Sequence, residues 1–254
     1  MVRTNDIRLG ILVPSSNTAL EPLTFRMIDD INKTLSVNGS PVQITVHFSR
    51  FPVTKITLDP SGLSQFDISP ILTAASLLAH AEVDVIGWSG TSGGWLGFER
   101  DEQLCETIER ATAIQATSSV MGLNKALRLW GVQKLGLVTP YLDDVQDNIV
   151  ENYEGFGMDI GRAGRNLRIE KNNDVTKIPS ADLDAIIAEV VGSNDVDAVT
   201  TFCTNLRAAH KVEEWEELHQ IPVFDTVTTV VWDMLKLCDL DTSKVKGWGM
   251  IFQK

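Results

Sequence analysis

Leu9-Gly10-Ile11-Leu12-Val13-Pro14-Ser15 has a counterpart later in the chain, Leu135-Gly136-Leu137-Val138-Thr139-Pro140-Tyr141. Each is an apolar run with glycine in second place and a proline-led turn at its end. A second pair follows in the same order: Asp84-Val85-Ile86-Gly87-Trp88-Ser89-Gly90-Thr91-Ser92 and Asp197-Ala198-Val199-Thr200-Thr201-Phe202-Cys203-Thr204-Asn205. Runs of Val, Ile and Leu without strict alternation read as strands covered on both faces, the habit of parallel sheets. Two ordered echoes predict an internal duplication, with two similar α/β halves that differ in loop length.

Outward from these runs, strand candidates fall at 7–13, 42–48, 83–88, 135–139, 196–202 and 221–224. Between them, apolar residues at three-to-four spacing predict helices at 63–79, 101–113, 118–130, 143–153, 181–191 and 204–218. Such alternation predicts an α/β fold with parallel sheets. The expected division is residues 1–116 with 226–254 for the first half and 117–225 for the second. Parallel α/β sheets bind ligands beyond the carboxyl ends of their strands. Two facing halves would therefore bring segments 14–17, 90–94, 140–141 and 203–205 into one cleft, setting Gly90 against Cys203 and Ser15 against Tyr141.

The whole-chain properties fit this reading. The 254 residues are 43% hydrophobic and 22% charged, as in a globular protein of one large or two small domains. The net charge of −12 disfavours nucleic acid and anionic membranes as partners. No stretch nears ~20 uninterrupted apolar residues. The apolar run in MVRTNDIRLGILVPSSN is too short for a signal-peptide core, so a cytoplasmic location is expected. Cys105, Cys203 and Cys238 are too few for a disulfide framework. With four histidines lacking ligand spacing, they also give no expectation of a metal site.

Cys203 stands where a strand hands over to the expected helix at 204–218. A helix N-terminus stabilises a thiolate, so a lowered pKa and an acid/base or nucleophilic role are expected; the alternative is a small buried hydrophobe. Cys105 and Cys238 fit the buried-hydrophobe reading. Gly90-Thr91-Ser92-Gly93-Gly94 offers hydroxyls and amides that suit an anion, or its glycines supply positive φ. Neither a phosphate-loop nor a dinucleotide pattern is present. Asn17, after Pro14-Ser15-Ser16, is a helix N-cap or a ligand donor. The Tyr141 hydroxyl reaches the cleft or is solvated. Asp143 and Asp144 read as first-turn helix acids, 213–217 as a solvated helix face, and His210 as surface.

Taken together, these residues resemble the aspartate/glutamate racemase superfamily, in the branch holding maleate cis–trans isomerase and arylmalonate decarboxylase. The carriers are Gly10–Asn17, Gly90–Ser92, Thr139–Asp144 and Cys203–Arg207. The resemblance implies two pseudo-symmetric Rossmann-like domains with the active site in the interdomain cleft. It also implies a cofactor-independent enzyme for a small carboxylate or dicarboxylate. Many members use two cysteines, one per half; here Gly90 stands at the first position and Cys203 alone remains. That pattern implies a decarboxylase-like lyase, in which Cys203 protonates an enediolate on one face. The implied carboxylate pocket is Thr91, Ser92, Tyr141 and the backbone of Thr204, with Pro14, Ser15, Asn17, Gly90 and Asn205 as further substrate-binding positions. Val53, Ile56 and Trp95 are candidates for an apolar pocket. Restoring a thiol by Gly90→Cys is expected to open racemase chemistry. The alternatives are a maleate isomerase or racemase in which Ser89, Thr91 or solvent replaces the missing thiol, and a non-catalytic carboxylate-binding protein. A homo-oligomer is a further expectation.

Overall fold

The computed structural model describes residues 6–160, 163–193 and 195–254. It contains two four-stranded parallel sheets. In the first, β1 (Asp6–Pro14) lies between β2 (Gln43–Phe51) and β3 (Val85–Trp88), and β3 pairs with β4 (Ala116–Ser118). In the second, β5 (Leu135–Thr139) lies between β6 (Gly164–Asn166) and β7 (Ala198–Thr201), and β7 pairs with β8 (Val223–Asp225). The orders β2-β1-β3-β4 and β6-β5-β7-β8 are the same arrangement twice. The echoed segments are its matching central strands, β1 with β5 and β3 with β7. In each sheet the chain leaves β1 or β5 for one neighbour and returns on the other side. That reversal opens a crevice at the strands' carboxyl ends.

The helices of the first half are α1 (Leu20–Val37), α2 (Pro60–Leu63), α3 (Ile68–His80), α4 (Gly93–Leu96) and α5 (Phe98–Thr112). They are followed by α6 (Ser119–Trp130), α7 (Asp143–Gly155), α8 (Asn172–Val175), α9 (Ser180–Ser193), α10 (Val212–His219) and α11 (Thr226–Leu237). α11 follows the second sheet yet packs across α6 and against β3. The crossing is close: a Cβ on Gly122 would stand 2.4 Å from the Thr229 carbonyl oxygen. At the other end of α6, the Trp130 ring meets Phe224 of β8 at 5.5 Å.

Several elements differ from the sequence expectation. β4 and β6 are three residues each, Ala-Thr-Ser and Gly-Arg-Asn, and carry no apolar run to announce them. α11 is rich in Thr and Val and has the propensity of a strand. It is helical because Asp225 caps it, accepting from the Val227 amide at 2.8 Å, and because the core encloses it. Its threonines find carbonyl partners both within and outside the helix; Thr228 Oγ1 donates to the Asp225 carbonyl and Thr229 Oγ1 to the Ser119 carbonyl, each at 2.8 Å. The helix expected at 204–218 begins only at Val212, after turns and a 3-10 segment at Ala209–Lys211. The run 213–217 is not a solvated face. Trp215 is buried and donates to Asp184 at 2.7 Å, and Glu216 accepts from the amides of Val223 (3.0 Å) and Met250 (2.8 Å).

Burial pushes the carboxyls of Asp101, Asp225 and Glu216 up to about 7. Their ordinary values are 3.8 for aspartate and 4.5 for glutamate. These three groups thus bind more protons in the folded chain than in the unfolded one, and their contribution to stability is lost as pH rises through about 7. The urea midpoint of unfolding is expected to be higher at pH 5.5 than at pH 8. A midpoint that rises over that interval contradicts this assignment.

Candidate active site

β1, β3, β5 and β7 end at one pocket. Gly90, just beyond β3, and Cys203, just beyond β7, both line it, as their equivalence predicts. Pro14, Asn17, Thr91, Ser92, Tyr141 and Thr204 join them, and Val53, Ile56 and Trp95 form an apolar wall. Three lining residues escaped the sequence reading: Phe66, Trp88 and Asn172. Phe66 and Trp88 look like ordinary core aromatics in sequence, and Asn172 opens the short helix α8 with no motif around it.

Polar bonds across the pocket join the halves. Thr91 Oγ1 and the Tyr141 hydroxyl are 2.6 Å apart. Asn17 Nδ2 donates to Thr204 Oγ1 at 3.1 Å, and Asn172 Nδ2 donates to Ser16 Oγ at 2.8 Å. Of the two roles foreseen for Asn17 the capping one is visible, since its Oδ1 accepts from the amides of Ala19 (3.1 Å) and Leu20 (2.9 Å) at the start of α1. The amides of Thr91, Ser92 and Thr204 have no acceptor among the described residues, so they remain able to bind an anion beside these hydroxyls.

Two expected binding residues stand elsewhere. Ser15 is exposed outside the pocket, where its hydroxyl accepts from the Val53 amide at 3.1 Å. Asn205 is buried but does not line the pocket. Its Oδ1 accepts from the amides of Thr18 (3.0 Å) and Ala19 (3.2 Å), and its Nδ2 donates to the Asn172 carbonyl at 2.6 Å. It is a clamp between the halves. Asn205→Ala strands these buried groups and is expected to destabilise the fold by about 2–4 kcal/mol. Denaturant unfolding measures this, and a loss below about 0.5 kcal/mol removes the clamp.

The glycines of the 90–94 turn do not serve positive φ, since none of the three has it. They admit close neighbours. A Cβ on Gly94 would stand 2.4 Å from the Phe202 ring, and one on Gly90 only 2.0 Å from Cζ2 of Trp88. The space beside Gly90 is therefore occupied by an indole. That ring is held by Phe51, with centroids 5.0 Å apart, and by its Nε1 donating to Ser92 Oγ at 3.4 Å.

The environment of Cys203 overturns the expected lowering of its pKa. No helix starts beside it, and burial pushes its thiol up to about 11. The Tyr141 hydroxyl and the amides of Asn205 and Leu206 act in the opposite direction. The Asn205 amide lies 3.4 Å from Sγ. Burial and the neighbouring thiol likewise raise Tyr141 well above its ordinary value. Both shifts favour the protonated thiol beside a protonated phenol, a form that can give a proton.

The pocket is narrow. Its free volume is about 20 Å³, room for about one water molecule. Beside it, between lining residues Ile56 and Asn172, Lys55 and Lys171 make an isolated antiparallel bridge. The flanking bonds are long: Ile56 N to Glu170 O is 3.3 Å and Asn172 N to Thr54 O is 3.4 Å. Among the described residues, no group of three or more His, Cys, Asp or Glu side chains is arranged to hold a metal ion, and no helix is long and apolar enough to cross a membrane.

Comparison with known proteins finds the arylmalonate decarboxylase family matching residues 39–252. A maleate isomerase of Pseudomonas putida is 26% identical over 245 residues, spanning 92% of each protein. The arylmalonate decarboxylase of Bordetella bronchiseptica is 22% identical over 189 residues, 74% of this chain and 78% of that one. Among solved structures, a maleate isomerase variant from Pseudomonas putida S16 with maleate superimposes with a TM-score of 0.85 at 25% identity, covering 98% of both chains.

Proposed function

The chain belongs to the arylmalonate decarboxylase family, and we propose that it decarboxylates a small malonate-type acid through an enediolate, without a cofactor and with Cys203 as the single proton donor. One observation carries this reading: the pocket holds one thiol, protonated at neutral pH, and faces an indole where a second thiol would stand. Racemisation needs proton transfer on two faces of carbon. Thiol addition to a double bond needs a thiolate, and the burial that raises the Cys203 pKa disfavours that form. Decarboxylation needs one proton donor, since carbon dioxide leaves from the other side.

In this reading one carboxylate binds the hydroxyls of Thr91, Ser92 and Tyr141 and the amides of Thr91, Ser92 and Thr204. The other lies against Val53, Ile56 and Trp95, where lost hydration favours its departure. The carbon–carbon bond breaks and its electron pair passes into the retained carboxylate, giving the enediolate. The same hydroxyls and amides stabilise the growing charge on oxygen. Cys203 then delivers its proton to carbon, and the thiolate recovers one from solvent. Asn17 and Pro14 shape the pocket.

Tyr141→Phe removes a donor to both the carboxylate and the thiol. It is expected to lower kcat by about 10²-fold and to move the alkaline limb of the pH profile upward, since the Tyr141 hydroxyl lowers the Cys203 pKa. For the unaltered protein that limb is expected near pH 11. A Tyr141→Phe enzyme with unchanged kcat and pH limb contradicts the assignment.

A second reading is cis–trans isomerisation of a maleate-like diacid. By sequence, maleate isomerases match 92% of the chain and the Bordetella bronchiseptica decarboxylase 74%, and this favours it over the first on likeness alone. Proton NMR in heavy water with disubstituted malonates and with maleate separates the readings. Loss of carbon dioxide with deuterium at the α-carbon supports the first, and conversion of maleate to fumarate supports the second. Binding of both acids without turnover leaves a non-catalytic carboxylate-binding protein.

A further inference from the structure

The catalytic pocket is not the only cleft between the halves. A second, of about 390 Å³, is lined by Thr18, Pro22 and Arg26 from the start of the first half and by Thr176, Arg207 and His210 from the second. The chain carries 34 acidic residues against 22 Lys and Arg. Even so, neither Arg26 nor Arg207 meets a carboxylate among the described residues. Arg26 lies over the Trp248 ring at 5.8 Å and Arg207 is exposed. Other arginines do find acids: Arg50 pairs with Glu21 at 2.9 Å and Arg168 with Asp143 at 2.8 Å.

His210 is half-buried, and its Nδ1 is buried without a partner. Burial first, and then the charges of Arg26, Arg207 and Lys211, hold its imidazole below the usual histidine range. Both guanidinium groups are thus close enough to act on the ring. The one acid that acts on it in the other direction, Glu214, is already paired with Lys211 at 2.6 Å. Like charges gathered without a counter-ion repel one another, and an anion between them relieves that repulsion.

We propose that this cleft is a binding site, separate from the catalytic pocket, for a compact multivalent anion: a phosphate group or a polycarboxylate. The two guanidinium groups come from opposite halves, so the anion bridges them. It lies beside Thr18 and Ala19, whose amides the Asn205 clamp holds. Occupancy therefore strengthens the junction between the halves. This inference does not depend on which reaction the catalytic pocket performs.

Calorimetric titration and thermal unfolding with sodium phosphate and with tricarballylate, against sodium chloride at matched ionic strength, test it. Saturable binding that raises Tm is expected, with Kd weakened at least ten-fold by Arg26→Gln and by Arg207→Gln. Both positions are exposed, so neither substitution disturbs the core. Tighter binding of phosphate assigns the site to phosphate groups, and the reverse order assigns it to polycarboxylates. Absence of saturable binding, an equal Tm rise with chloride, or unchanged affinity in both arginine variants overturns the proposal.

Discussion

Cys203→Ser lowers turnover by about 10³-fold with the substrate the enzyme proves to use, and leaves the fold unchanged. A hydroxyl fits the buried space left by the thiol and accepts the same amide and phenol bonds. It is a far weaker acid, so it cannot deliver a proton to an enediolate at a comparable rate. The loss is expected in kcat, with KM little changed, because the carboxylate is held by other groups. Circular dichroism and the thermal midpoint check the fold, and single-turnover kinetics check the chemistry. A serine variant within ten-fold of the parent enzyme would remove Cys203 from the mechanism and return it to the packing role that its 3% exposure also permits.

Gly90→Cys alone is expected to fail where the sequence reading foresaw a new racemase. The missing side chain leaves no vacancy, because the Trp88 indole fills the place that a Cβ would take, 2.0 Å from Cζ2. That ring is not a flexible tip that can yield. It packs on Phe51 and bonds to Ser92, which is itself part of the expected carboxylate pocket. The single variant should lose about 3 kcal/mol or more of stability by overpacking and gain no exchange of an α-hydrogen with heavy water. Trp88→Ala combined with Gly90→Cys supplies the room and should gain that exchange. Exchange in the single variant, with stability retained, would show that Trp88 does not guard the second face. Failure in both, with the double variant folded and its thiol titratable, would place the second face elsewhere.

Much of the fold was legible because the duplication wrote it twice. The apolar runs at 9–13 and 135–139 are central strands buried on both faces, and burial is what made them visible. β4 and β6 were not legible, since a three-residue edge strand needs no hydrophobic run when its neighbour supplies the pairing. α11 was hidden by the opposite effect, for its threonines and valines suit a strand until Asp225 caps the first turn and the core closes around it. The site was read from segments that end the central strands, and Pro14, Asn17, Gly90, Thr91, Ser92, Tyr141, Cys203 and Thr204 meet as expected. Ser15 and Asn205 are neighbours of site residues in sequence but point to backbone partners instead, and side-chain direction beyond a strand end has no periodic signal. The thiol's pKa was misjudged because it depended on a helix that begins eight residues later than foreseen, at Val212.

The narrowness of the pocket beside the Lys55–Lys171 bridge has a consequence for handedness. In the proposed decarboxylation, a carbanion formed in a space with room for about one solvent molecule is quenched by the donor that lines that space rather than at random from the bulk. A single enantiomer is then the expected product, and any slackening around the pocket would be recorded as racemate before it was noticed as lost speed.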